Sequence, residues 1–198
     1  MKRRVAVFDF DGTLISKDSL LEFIKFACGE ASFLWGFLLY SPMLVLMNMR
    51  LYPNWKAKEK VFSHFFRGLS IENFTAYGIA FANKLETFKN EETLSLLKDH
   101  LKNEDTVYII SASIEDWVRP WCEQMGNVIV LGTKVDVDNH GILTGRFLTN
   151  NCYGQEKVFR LLQVEPNRNE YELYAYGDSR GDKEMIEFAD YGKYVNKK

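Results

Sequence analysis

The sequence is poor in the residues that build cross-links and metal cages. Three cysteines occur in 198 residues, Cys28, Cys122 and Cys152. They form an odd set without a C-x-x-C pair, which excludes a disulfide framework and a zinc knuckle and points to a reducing compartment. His64, His100 and His140 are equally few and lack ligand spacing, so no role is assigned to them. Neither sign of charge dominates: 25 Lys plus Arg stand against 27 Asp plus Glu, and no basic field recommends nucleic acid as a partner. Internal repeats and low-complexity tracts are absent. The first apolar run meets Asp9 too soon for the apolar segment of a signal peptide, so the expected location is cytoplasmic, with room for peripheral contact at the inner membrane face.

What the chain holds in quantity is apolar mass, 46% hydrophobic and 15% aromatic, enough to bury a sizeable core in one or two domains. Residues 4–8 are a short β-branched run that reads as a buried strand ending in Asp9-Phe10-Asp11-Gly12-Thr13. Residues 18–88 read as all helical: a capping box at Ser19 and Glu22, a helix after Pro53, and one from Ser70 with Phe74, Tyr77, Phe81, Leu85 and Phe88 at helical spacing. Thereafter strands and helices alternate, with strands at 105–110, 127–131, 171–176 and 191–195, Ser113 as a helix cap, and a hairpin around Asp138-Asn139-His140-Gly141. This order predicts an α/β fold, a Rossmann-like parallel sheet with an all-helical cap inserted after the first strand. The expected division is a catalytic core of residues 1–17 and 89–198 and a cap of residues 18–88.

Residues 31–49 carry no formal charge and approach the length of a membrane span. Pro42, Ser32, Ser41 and Asn48 argue against an unbroken span, so inward packing is expected first, interfacial membrane contact second and a true span last.

Four stretches put polar, reactive groups just after a strand or at a helix start: Asp9-x-Asp11, Ser111-Ala112-Ser113, Gly154 to Lys157, and Gly177-Asp178-x-x-x-Asp182. Parallel strands bring such ends together, and this inventory of carboxylates, an ammonium and hydroxyls suits a hard divalent cation bound with a phosphate. Singly, each motif reads as well as a turn, a cap or a solvated side chain.

In this order the motifs resemble the haloacid dehalogenase superfamily, and the helical insertion resembles the cap of its subfamily IB, the branch of phosphoserine phosphatase. The resemblance implies Asp9 as nucleophile forming an aspartyl-phosphate, Asp11 as general acid and then base, and Ser111, Ala112 and Lys157 as phosphate-binding residues. It implies Mg²⁺ held by Asp9, the Asp11 backbone carbonyl and Asp178, with Asp182 as a further ligand or a supporting group. The substrate would be a phosphomonoester, either a small metabolite or a lipid phosphate; oligomeric state is open. Asp18, Arg50 and Arg67 are the cap candidates for substrate contact. Ala112-Ser113 after Ser111 departs from the Gly-Gly of phosphoserine phosphatases, and the apolar cap is more similar to that of members acting on phosphatidylglycerophosphate. A phosphoaspartate signalling module is the alternative from another class; the position of Asp9 after the first strand argues against it.

Overall fold

The computed structural model describes residues 2–49 and 51–195. In chain order the elements are β1 (Arg3–Phe8), α1 (Ser19–Cys28), α2 (Glu30–Asn48), α3 (Asn54–Phe66), α4 (Ile71–Leu85), α5 (Glu91–Lys102), β2 (Thr106–Ile114), α6 (Glu115–Cys122), β3 (Val128–Thr133), β4 (Val135–Val137), β5 (Leu143–Phe147), α7 (Gln155–Val164), β6 (Tyr171–Gly177), α8 (Lys183–Phe188) and β7 (Tyr191–Tyr194). The main sheet runs β3-β2-β1-β6-β7 with every pairing parallel, so β1 is central. Its period-2 alternation sends Ala6 and Phe8 to one apolar layer, with Leu94, Leu97, Trp117 and Trp121 of α5 and α6. Val5 and Val7 face the other layer, with Val158 and Leu161 of α7 and Met185 of α8. Both faces are covered, as a parallel sheet requires.

Helices α1 to α4 form the insertion after β1. They join the sheet layer through an aromatic cluster in which Phe23 stacks on Trp117 at 4.5 Å and meets Phe66, Phe74 and Phe81 within 5.5 Å. The antiparallel β4–β5 hairpin leaves the main sheet and packs on α3. The Phe62 and Phe147 rings lie 5.3 Å apart, and the Phe147 N–H donates to Glu59 at 2.9 Å.

Several local expectations shift for identifiable reasons. Asp18, not Ser19, caps α1 by accepting from the Leu21 N–H. Ser113 lies inside β2, and α6 starts from Ile114 without a side-chain cap. Both serine hydroxyls are used in the interior instead. Tyr77 turns outward from α4. Pro42 does not break α2: the Leu38 carbonyl that would have accepted from an N–H at position 42 takes a hydrogen bond from Ser41 Oγ at 2.8 Å, so the helix continues through the imino acid.

Candidate active site

The loops after β1 and β6, the C-terminal part of β2 and the first turn of α7 meet at the C-terminal edge of the sheet, where open α/β folds form their ligand crevice. They surround a cavity of about 530 Å³ whose walls include Asp9, Asp11, Asp18, Ser111, Ala112, Lys157, Asp178 and Asp182. The insertion closes its far side with Phe37, Leu44 and Met47 of α2 and Asn54, Ala57, Lys58 and Val61 of α3.

Lys157 is the electrostatic centre. Only 2% exposed, it places Nζ 2.6 Å from Asp9 Oδ1 and 2.5 Å from Asp182 Oδ1. Burial works against its charge, but the two carboxylates outweigh burial and hold Lys157 above the usual lysine range. They differ in their own response. Burial pushes Asp9 up to about 6 despite Lys157, with Asp182 adding like-charge repulsion. For Asp182 burial is outweighed by Lys157 and by hydrogen bonds from Ser179, which keep it below the ordinary aspartate value.

Asp11 is positioned by residues distant in sequence. Its Oδ1 accepts from the Ser19 N–H at 3.1 Å in the first turn of α1, and its Oδ2 accepts from Ser113 Oγ at 2.6 Å. Ser113 Oγ in turn accepts from Ser19 Oγ at 2.9 Å, and Ser19 Oγ from Trp117 Nε1 at 3.0 Å. This relay ties α1, β2 and α6 to one carboxylate. Burial first, and then the nearby Asp18, push Asp11 up to about 7, a range suited to a group that must give and take a proton near neutrality.

The acidic cluster suits a hard cation in donor type and spacing. One oxygen from each of Asp9, Asp178 and Asp182 lies within 4.8 Å of the others. The three are not equivalent. Asp182 Oδ1 is taken by Lys157, and Oδ2 accepts from the Asp178 N–H, the Ser179 N–H and Ser179 Oγ at 3.0–3.1 Å. Asp182 is thus a brace for the loop after β6. Asp178 is pressed against the loop after β1, where Gly12 has φ +77° and an added Cβ would come within 2.4 Å of Asp178 Oδ2. Gly12 therefore satisfies two demands at once, left-handed backbone and close approach of the second acidic loop.

Of the three expected cap residues, Asp18 reaches the cavity. Arg67 does not: it is exposed at the C-terminal end of α3, on a separate cleft with Asp136 and Asp138. Arg50 lies outside the described residues. Among the described residues the cap cation at the cavity is Lys58, whose Nζ donates to the Ala112 carbonyl at 2.7 Å; Thr133 Oγ1 donates to the same oxygen at 2.9 Å. Lys58 is a single lysine beside buried Ala57 and Val61 on one face of α3, and a cation on an apolar face is the signal that could have found it. Asn151 and Tyr153, ahead of α7, also line the cavity.

A family model described as haloacid dehalogenase-like hydrolase matches residues 6–187. Protein CicA of Caulobacter vibrioides is 28% identical over 187 residues, covering 94% of this chain and 83% of that protein. A Bordetella pertussis Tohama I protein of unknown function has a crystal structure that superposes with a TM-score of 0.83 at 19% identity, covering 98% of this chain and 89% of that one. A phospho-aspartyl intermediate analogue of phosphoserine phosphatase superposes with a TM-score of 0.64 at 20% identity, covering 98% and 86%. Matched along nearly its whole length and folded around a parallel sheet with a helical insertion after the first strand, this chain belongs to the haloacid dehalogenase-like hydrolase family.

Proposed function

We propose that the chain is a Mg²⁺-dependent phosphomonoester hydrolase of subfamily IB that works through an aspartyl-phosphate on Asp9. The observation that carries this reading is the convergence, in one cavity, of Asp9 paired to Lys157, a doubly hydrogen-bonded Asp11 and Asp178. Residues 18–88 act as the cap over a core of residues 1–17 and 89–198, and the β4–β5 hairpin belongs physically with the cap because it packs on α3.

In the first displacement an Asp9 carboxylate oxygen attacks phosphorus and the ester P–O bond breaks. Asp11 delivers its proton to the leaving oxygen. In the second, Asp11 takes a proton from the water that attacks the phosphoryl group, so Asp9 is regenerated and inorganic phosphate leaves. Ser111 and Lys157 hold phosphoryl oxygens, the lysine as a fixed point charge. Asp9 and Asp178, with the Asp11 backbone carbonyl, are the groups that would hold Mg²⁺; when bound, the cation supplies the positive charge that lets an anionic nucleophile meet an anionic phosphate. Asp182 supports them from behind by positioning Asp178 and Lys157. At the leaving-group end, Phe37, Leu44 and Met47 favour an apolar alcohol portion, whereas the Asp18 and Lys58 pair keeps phosphoserine as the second reading.

The test is turnover of para-nitrophenyl phosphate, then of a panel that includes phosphoserine, other soluble phosphomonoesters and dispersed lipid phosphates, each with Mg²⁺ and with EDTA. Turnover with Mg²⁺ that vanishes on chelation is expected; full activity in EDTA, or none on any substrate, overturns the assignment. Asp11→Asn divides the two carboxylate roles. It is expected to lower kcat on alkyl phosphates by about 10²–10⁴-fold and much less on aryl phosphates, whose leaving groups need little protonation. Equal losses on both classes would show that Asp11 is not the proton donor.

A further inference from the structure

Helix α2 is apolar on all sides, yet the molecule covers only one of them. Phe33, Phe37, Tyr40, Met43 and Leu44 pack against the core, and Gly36 lies so close to α3 that an added Cβ would meet the Phe65 ring at 2.2 Å. The opposite side, Leu34, Trp35, Leu38, Leu39, Val45 and Leu46, is open, with Trp35 73% and Leu38 63% exposed. Just 6% of the most apolar window of α2 is buried, at a mean hydropathy of 1.4. An apolar strip running from Leu34 to Leu46, about 18 Å along the helix, and facing water is far larger than the scattered exposed side chains of an ordinary surface.

We propose that this outer face of α2 lies in the interface of an anionic lipid bilayer, and that the substrate is accordingly a lipid phosphomonoester; the substrate half rests on the catalytic reading above. Three observations select this occupant. Past the C-terminal end of α2 stand an aromatic and lysine fringe, Lys56 at 5.3 Å from the Trp55 ring and Lys60 at 5.9 Å from that of Tyr52, with both lysines exposed. Such a fringe suits the headgroup level of an anionic membrane. No carboxylate stands in residues 31–58 to oppose an anionic surface. The third observation is continuity with the cavity: Phe37, Leu44 and Met47 line it, while Leu38, Leu39, Val45 and Leu46, next to them in the same helix, are exposed. One helix therefore separates the catalytic groups from the proposed acyl-chain region. A transmembrane placement would strip the inner face from α3 and the core, so α2 lies along the surface.

Flotation of the purified full chain with vesicles of phosphatidylcholine, alone or doped with phosphatidylglycerol, tests the docking. The wild type is expected to float with the anionic vesicles and much less with neutral ones. Trp35→Glu combined with Leu38→Glu is expected to weaken flotation at least about tenfold while para-nitrophenyl phosphate turnover stays within about twofold. Turnover of phosphatidate in the same vesicles should fall with flotation. If that double variant fails to fold, Leu39→Ser with Val45→Ser interrogates the same face. A wild type that does not float overturns the proposal, as does a variant that floats like the wild type. A dimer broken by the same substitutions and indifferent to vesicles replaces the lipid with a second copy. Flotation without turnover of any phosphomonoester would leave docking standing and remove the catalytic reading, so the two fail separately.

Discussion

Asp9→Asn is expected to abolish turnover, with kcat falling on the order of 10⁴–10⁶-fold as for removal of other enzymatic nucleophiles, while the melting temperature of the metal-free protein holds or rises. The amide is nearly isosteric but can neither attack phosphorus nor offer an anionic oxygen to a cation. The stability half follows from burial. Asp9 is raised to about 6 in the folded protein, so between the unfolded aspartate value and about 6 the native state holds a proton that the unfolded chain has lost. Stability contributed by this group therefore declines as pH rises through that window and stays lower above it. The asparagine has no such proton to lose, and the decline attributable to position 9 disappears. Steady-state kinetics and thermal melts from pH 4 to 8 check both halves. Retained turnover would remove Asp9 as nucleophile; a large drop in melting temperature would show that the Asp9 and Lys157 pair is chiefly structural.

Asp182→Asn is expected to do the opposite to stability while also lowering activity. Asp182 is fully buried, and both of its oxygens are engaged, one by Lys157 and the other by three donors from residues 178 and 179. Whichever way an amide turns, its NH₂ faces either an ammonium or two backbone N–H groups. The cost is about 3–5 kcal/mol, the range for breaking a buried ion pair, which corresponds to roughly 6–20 °C for a domain of this size. Its pKa is depressed, so this stabilisation is present above the unfolded aspartate value and is lost as pH falls through the lower folded value, a window further acid than that of Asp9. Activity should fall because the loop bearing Asp178 and the ammonium of Lys157 both lose their brace. A melting temperature within about 2 °C of wild type would contradict the bracing role. The pair of substitutions thus separates two carboxylates that flank one lysine: Asp9, the proposed nucleophile, is held at a cost to stability, and Asp182, the proposed brace, contributes to it.

The sequence alone determined the elements whose signal is local. The β-branched run before Asp9, the helical periods of the insertion and the alternation that follows prescribe the strands, and right-handed crossovers then bring the motif-bearing loops to one sheet edge. Asp9, Asp11, Lys157, Asp178 and Asp182 were legible as residues of one cavity for that reason, each following a strand or opening a helix, and Ser111 joins them from inside β2. Tertiary structure alone decided the rest. Lys58 reaches Ala112 across 54 residues, and Asp11 is held by Ser113 across 102, so Ser19 and Ser113 read locally as caps although their hydroxyls are spent on the interior relay. Arg67 lies at the end of α3 on a separate cleft, whereas Lys58, nine residues or about two and a half turns earlier and so on the opposite side of the helix, faces the cavity. The two faces of α2 were undetermined for a related reason. Where every side of a helix is apolar there is no amphipathic stripe to choose the buried one, and the close approach of Gly36 to Phe65 on another helix makes that choice, leaving Trp35 and Leu38 outside.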